Sequence, residues 1–321
     1  SDTRLVVRGT LLVTWSKNRD AKGLYLPESI NASELKVLER KGPPVFVKTR
    51  TIDTSRERVD SKNSHQAVPL LAYDLNRDGF PELLLPAANL VYWNRNGKLD
   101  KDDLCKVPPR KCGSALVADF TGDGWADLFV AEMGGTAILY RGDKYGRFES
   151  NTKAAAGLEL KIPFASTAGD VDGDGDLDLW VTQYRAPYLD GQMPTPYYDA
   201  NDGWPSYLLL NDGAGNFSDA TEVSGLAAKR LRRTYSTSFV DLDGDHDLDL
   251  VVISDFAGLD IWLNDGHGKF ADVTGQLEND RFSFGMSHAL ADFNRDGRVD
   301  LYMTGMGSTT ARRLESMGLG R

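Results

Sequence analysis

The stretch Asp170-Val-Asp-Gly-Asp-Gly-Asp-Leu-Asp178 carries carboxylates at positions 1, 3, 5 and 9, with Gly175 at position 6. Alternate side chains of such a run converge on one point, and the glycine permits the sharp turn that brings them together. Asp170, Asp172, Asp174 and Asp178 would offer side-chain oxygens, and the backbone carbonyl of Asp176 one more. Hard oxygen donors in this number suit Ca2+. Mg2+ prefers to keep its waters, and Zn2+ prefers nitrogen and sulfur.

The pattern occurs five times in the chain. One copy has Asp74, Asn76, Asp78, Glu82 and the carbonyl of Phe80. A second has Asp119, Thr121, Asp123, Asp127 and the carbonyl of Trp125. Beyond the 170–178 run come Asp241, Asp243, Asp245, Asp249 with the carbonyl of Asp247, and Asp292, Asn294, Asp296, Asp300 with that of Arg298. Thr121 stands in place of a carboxylate. His246 stands at position 6 where the other copies have glycine, which predicts local backbone strain and weaker binding there. The competing reading is a set of plain acidic hairpin turns, but such a turn has no use for a fixed carboxylate at position 9. The expectation is about five bound calcium ions.

These loops account for the charge of the whole. The 321 residues carry a formal net charge of -10, and 17 carboxylates occupy ligand positions in the five loops. Five Ca2+ ions would bring the loaded protein close to neutral. An acidic balance argues against nucleic acid and against an anionic membrane surface. No apolar run is long enough to span a bilayer, and Ser1-Asp-Thr-Arg4 is not a signal peptide, so any export signal is expected to have been removed. Cys105 and Cys112 bracket a Pro-rich segment. A disulfide between them is the favoured reading, with two free thiols as the alternative; calcium loops of this kind belong outside the cytosol, in a secreted, extracellular or periplasmic setting.

The elements that must position these loops repeat as well. Successive first aspartates are 45, 51, 71 and 51 residues apart, in the range of a propeller blade. An apolar strand leads into each loop (Ser114–Ala118, Ser236–Val240) and a second leaves it (Leu128–Ala131, Leu248–Ile253). A third ends in a glycine-rich hairpin turn and an aromatic, as in Leu210-Asn-Asp-Gly-Ala-Gly-Asn-Phe217 and Leu263-Asn-Asp-Gly-His-Gly-Lys-Phe270. Thr152, Thr221 and Thr274 each follow their aromatic by four residues. The fold class expected is all-β: a β-propeller of four-stranded blades, about six to seven of them, incomplete in this chain. A divergent N-terminal β segment or blade is assigned to residues 1–60, the repeats to 61–310, and a helical or linker end to 311–321. Within 1–60, strands are expected over 5–15 and 45–52, with helical or loop character over 27–40.

The longest spacing holds an insertion over residues 183–205, rich in Tyr and Trp. Long blade insertions gather on one face, often the binding face. Tyr184, Arg185, Tyr197, Tyr198 and Trp204 are therefore candidate ligand contacts, and a self-packed loop is the alternative. His288 joins them as a candidate at the mouth of a central channel. It cannot pair with Ser287 as nucleophile and base, because adjacent strand residues point to opposite faces. His65 has a similar place before the first loop, whereas His246 and His267 fall in turns. Arg141-Gly142-Asp143 spells an adhesion tripeptide but replaces the Asn-Asp-Gly turn of its sister repeats, so a turn is the default. Asn31-Ala-Ser33 and Asn216-Phe-Ser218 match glycosylation acceptors.

These residues resemble the FG-GAP/VCBS repeats of integrin α-chain propellers. They are more closely similar to the cartilage-acidic-protein family with its ASPIC/UnbV tail, on the strength of Leu210–Leu226, the Tyr-rich insertion and Gly285-Met-Ser-His-Ala-Leu-Ala-Asp292. The resemblance covers roughly residues 64–310 and implies a calcium-binding propeller, usually of seven blades; the tail is absent. The reading reached is a secreted binding or assembly module with structural calcium. Its partner is a protein, or a missing segment or chain that completes the propeller. The rivals are a calcium-dependent enzyme acting at the channel mouth and a carbohydrate-binding lectin.

Overall fold

The computed structural model describes residues 3–19, 25–42, 51, 69–154, 158–186, 194, 196, 198–277 and 281–306. The chain divides into two compact units, Ser1–Arg56 and Glu57–Arg321. The first holds β1 (Thr3–Arg8), β2 (Leu12–Arg19), β3 (Tyr25–Asn31) and β4 (Lys36–Lys41), in two antiparallel pairs: β1 with β4, and β2 with β3. The helical character expected over 27–40 is therefore replaced by two strands. Pairing across β2 decides the outcome, and Asn31 ends β3 by accepting the Ser33 N–H at 2.9 Å in a side-chain turn. The strand expected over 45–52 lies outside the described residues but for Thr51, as do His65, Tyr197 and the segment 311–321.

The second unit is a run of antiparallel sheets, each assembled from consecutive strands. The first contains β5 (Leu71–Tyr73), β6 (Glu82–Leu85), β7 (Leu90–Arg95) and β8 (Lys98–Asp103). The next contains β9 (Cys112–Ala118), β10 (Asp127–Glu132), β11 (Ala137–Gly142) and β12 (Phe148–Ala154). Then come β13 (Pro163–Gly169), β14 (Asp178–Gln183), β15 (Tyr207–Asn211) and β16 (Phe217–Asp219), followed by β17 (Arg233–Val240), β18 (Asp249–Asp255), β19 (Gly258–Asn264) and β20 (Phe270–Asp272). Only two strands, β21 (Gly285–Ala291) and β22 (Asp300–Gly305), form the fifth sheet among the described residues. First strands pack beside one another in chain order, β5 by β9, β9 by β13, β13 by β17 and β17 by β21. The fold is all-β, in blade-like sheets.

The second strands β10, β14 and β18 read as unbroken apolar runs because both of their faces are covered. In β10, Leu128 and Val130 join a core cluster with Leu84 and Val91 of the first sheet. Phe129 and Ala131 point the other way, into a cluster with Leu179 and Val181 of the third. Trp180 then meets Leu250 and Val252, and Val251 and Ile253 pack with Leu301 and Met303. The alternation of side chains along a strand thus stacks each sheet between its two neighbours. Phe129 is fully buried, and truncating it to alanine is expected to cost about 3–5 kcal/mol.

Candidate functional site

The five acidic loops join the first strand of each sheet to the second and share one hydrogen-bond pattern. The N–H at position 6 donates to the carboxylate at position 1: Gly79 to Asp74, Gly124 to Asp119, Gly175 to Asp170, His246 to Asp241 and Gly297 to Asp292, at 2.7–3.1 Å. The N–H at position 7 donates to the carboxylate at position 5, at 2.9 Å in all five, from Phe80, Trp125, Asp176, Asp247 and Arg298. The turn needs left-handed backbone at position 6, where His246 has φ +76 beside glycines at +86 to +93. It needs it at position 4 too, which sequence reading missed: Arg77 and Arg295 have φ +60 and +66 there.

Position 9 has a use that the sequence did not disclose. Glu82, Asp127, Asp178 and Asp249 are fully buried, and each accepts the N–H of loop position 2: Leu75, Phe120, Val171 and Leu242, at 2.8–3.0 Å. The other carboxylate oxygen accepts an N–H from the third strand of the same sheet, from Asn94, Gly142, Asn211 or Asn264, at 2.9–3.4 Å. This carboxylate clamps loop to sheet. Desolvation raises the pKa of all four against these backbone bonds, that of Asp178 to about 6.

Positions 1, 3 and 5 form the part that fits a metal. One oxygen from each of Asp170, Asp172 and Asp174 lies within 4.8 Å of the others, and the same holds for Asp241, Asp243 and Asp245. Oδ1 of Asp119 and Oδ1 of Asp172 are buried without a hydrogen-bond partner among the described residues. Desolvation, then the neighbouring Asp174 and Asp170, pushes the Asp172 carboxyl upward. A cluster of hard oxygens with a stranded member is a donor set suited to Ca2+. In the first and fifth loops the amides of Asn76 and Asn294 instead donate to Asp78 and Asp296 at 3.2 and 3.1 Å. Arg298 adds an ion pair to Asp296 at 3.1 Å.

The hairpin turns of the third and fourth sheets latch each of them to the loop before it. Asn211 Nδ2 donates to the Phe120 carbonyl at 2.9 Å, and Asn264 Nδ2 to the Val171 carbonyl at 2.8 Å. Arg141-Gly142-Asp143 serves the same frame. Asp143 accepts the N–H groups of Tyr145 and Arg147, and Arg141 donates to the Ala214 carbonyl of the next turn. Thr221 and Thr274 are buried and tie the last strand to the third through the N–H groups of Leu208 and Ile261.

The insertion is held down by charge. Arg233 forms a two-pronged pair with Asp202 at 2.8 and 2.9 Å and donates to the Arg185 carbonyl. Arg232 pairs with the fully buried Asp260 at 2.7 Å and with Asp199 at 2.6 Å, while Lys229 and Arg281 reach Asp260 at 2.9 and 3.7 Å. Burial would raise the pKa of Asp199, but the Arg281 and Arg232 guanidiniums hold it below its ordinary value. Tyr184 is buried against Tyr235 and Phe164, with its hydroxyl 3.2 Å from Asp255. Arg185 donates to the Asp202 carbonyl and lies over the Trp204 ring. Among the described candidate contacts here, only Tyr198 stands well exposed. His288 bridges two sheets, with Nδ1 3.0 Å from Ser236 and Nε2 2.8 Å from Ser238.

The expected disulfide is not formed in this structure. Cys105 and Cys112 carry free thiols and pack as small apolar groups in one core cluster, where desolvation pushes each pKa up to about 12. Among the described residues no helix is long and apolar enough to cross a membrane.

The family model of the FG-GAP-like repeat matches residues 74–130, 119–181, 198–252 and 241–303, together more than half of the chain. No curated protein matches. Among solved structures, a lectin of Agrocybe aegerita, described for specific recognition of non-reducing terminal N-acetylglucosamine, is similar at 18% identity and a TM-score of 0.47. That likeness covers 74% of this chain and 60% of the lectin. The V. cholerae biofilm matrix protein Bap1 is similar at 14% identity and a TM-score of 0.36, over 76% of this chain and 35% of that one. At these TM-scores neither likeness bears on ligand or assembly.

Proposed function

The chain belongs to the FG-GAP-like repeat family, and on that premise we propose that it is a calcium-stabilised, propeller-type binding module. The oxygen clusters at positions 1, 3 and 5, with the stranded oxygens of Asp119 and Asp172, carry this reading. Side chains at these positions and the carbonyl at position 7 would hold each ion, with position 9 contributing a remaining lone pair. The bound cation supplies charge neutralisation, so that loops which repel themselves keep one shape. The third loop, with four carboxylates and glycine at position 6, ranks first in affinity; the fourth has as many carboxylates but carries the strained His246. The fifth ranks last, because Arg298 already occupies Asp296. Calcium titration followed by chelation, read by thermal unfolding and native mass, tests this. A large fall in Tm on chelation with about two to five ions bound is expected. No bound metal and no shift would overturn it.

The partner-binding side of the proposal rests on the fifth sheet. Its strand β22 has no neighbour beyond β21 among the described residues, and Phe293, Tyr302 and Met306 are exposed on that sheet or next to it. A protein partner, or a further segment or chain, that adds strands there would complete the sheet by edge pairing. Secretion or a periplasmic location follows from calcium concentrations outside the cytosol. We further propose a kinship with cartilage-acidic proteins, supported by Leu210–Leu226, the insertion and Gly285–Asp292. Hydrogen exchange of the β22 amides that point away from β21, slow only when the partner is present, tests the pairing.

A further inference from the structure

A cleft of about 350 Å3 lies between the first and second sheets of the repeat unit, walled by Trp93 and Arg95 of β7 on one side and by the β11–β12 turn on the other. That turn shares a frame with its sisters. Gly146 seats against Leu75, at position 2 of the preceding loop, and its sisters also approach the loop before them, Gly215 beside Thr121 and Gly268 beside Asp172. Around that frame the sister turns carry Gly-Ala-Gly-Asn and Gly-His-Gly-Lys, whereas this one carries Lys144-Tyr145-Gly146-Arg147.

The decoration changes the chemistry. Arg95, Lys144 and Arg147 face the cleft, and Asp102 is the one carboxylate in its lining. Lys144 and Arg147 make no ion pair among the described residues, and Arg95 has only a long, exposed contact to Asp100 at 3.6 Å. A local excess of cations in a chain of net charge -10 is a focused field for an anion. The half-buried Trp93 and the well-exposed Tyr145, one face of which carries Lys144 Nζ at 5.0 Å, add ring surfaces that stack on the C–H faces of a sugar. The volume falls at the small end of the range of about 300–1,000 Å3 typical of ligand clefts, enough for a short saccharide segment.

We infer that this cleft binds an acidic saccharide, a uronate or sulfated sugar, with Lys144, Arg147 and Arg95 on its anionic groups and Trp93 and Tyr145 on its rings. Asn76, position 3 of the first acidic loop, also lines the cleft but is assigned no contact, and repeating the calorimetry in calcium-free buffer separates this reading from the calcium one.

Calorimetry on the full chain in calcium, with five probes, tests it: trigalacturonate, a sulfated glucosamine-containing tetrasaccharide, maltotriose, inorganic sulfate and a phosphoserine peptide. One of the two acidic saccharides is expected to bind with a Kd of about 0.1–1 mM, and the affinity to fall about tenfold or more at high salt. Lys144→Ala with Arg147→Ala is expected to weaken that binding about tenfold or more while Tm moves by less than about 2 °C, since both side chains are exposed. Tyr145→Ala, also exposed, is expected to weaken saccharide binding about fivefold. Equal binding of maltotriose, sulfate binding as tightly as the saccharide, or tighter binding of the phosphopeptide would each overturn the assignment. So would unchanged affinity in the double variant, or no binding by either acidic saccharide.

Discussion

Replacing Asp178 by alanine removes both acceptors of a buried clamp. Its two oxygens take the Val171 and Asn211 N–H groups at 3.0 and 2.9 Å, and its side chain is out of reach of water. Each orphaned buried N–H is expected to cost about 1–3 kcal/mol, about 2–6 kcal/mol for the pair. That is a large part of the roughly 5–15 kcal/mol by which a domain is stable. Asp178→Asn keeps one acceptor and should lose about half as much. The informative contrast is Asp174→Ala in the same loop. Asp174 is exposed and crowded by Asp170 and Asp172, so without calcium its loss should change stability by no more than about 0.5 kcal/mol. In calcium at about 100 times Kd it should remove up to about 2.7 kcal/mol of ion-linked stability. Urea unfolding of all three variants, in calcium and after metal stripping, separates the roles. If Asp178→Ala cost less than about 1 kcal/mol in metal-free protein, the clamp would not be what holds loop to sheet.

Other outcomes follow from the same contacts. The raised carboxyls Asp178, Glu82, Asp127 and Asp249 favour the folded state when protonated. Their stabilisation is full below the unfolded values of 3.8 and 4.5 and is lost as pH rises through the folded ones, about 6 for Asp178. Metal-stripped protein should therefore melt higher at pH 5 than at pH 7, whereas calcium-loaded protein should melt lower, because protons compete with the ion. Asp260→Ala takes from the almost fully buried Arg232 one of its two carboxylates, leaving Asp199, and is expected to cost about 1–3 kcal/mol by urea midpoint. His246→Gly relieves a left-handed residue and should stabilise by about 0.5–1 kcal/mol, read as a rise in Tm without calcium. The folded-state thiols of Cys105 and Cys112, at about 12, should resist alkylation at pH 8 until the protein is unfolded.

What was legible in the sequence followed from local rules. The central strands announced themselves because both faces of β10, β14 and β18 are covered, which makes the whole run apolar. The loops announced themselves because six or seven residues must converge in a fixed order. What escaped reading depends on partners far apart in the chain. Arg232 and Arg233 look like a solvated basic pair in sequence, yet they meet Asp199, Asp202 and Asp260, about thirty residues away on either side. Around the described part of the insertion the same pairing leaves Tyr184 buried and Arg185 bonded to the Asp202 carbonyl and set over Trp204, while Tyr198 stays exposed. The strands β3 and β4 were read as helical or loop because their pairing to β2 and β1 leaves no strong local period. His288 was judged against its neighbour Ser287, whereas its partners are Ser236 and Ser238 on the adjoining strand.

The loops are also not independent of one another. In the third loop the Val171 peptide is used at both ends: its N–H meets Asp178 in the same sheet, and its carbonyl accepts Asn264 and Gly268 from the next. The second loop repeats this with Phe120, Asp127 and Asn211. An ion that fixes positions 1, 3 and 5 of one loop therefore also fixes the peptide on which the following sheet is latched, so ordering should pass along the stack from sheet to sheet. The fourth loop has no such latch among the described residues, because only β21 and β22 follow it. Its strong donor set is thus coupled to one neighbour only. On this reasoning the third loop, rich in carboxylates and latched on both sides, is where a lost ion should loosen the most structure.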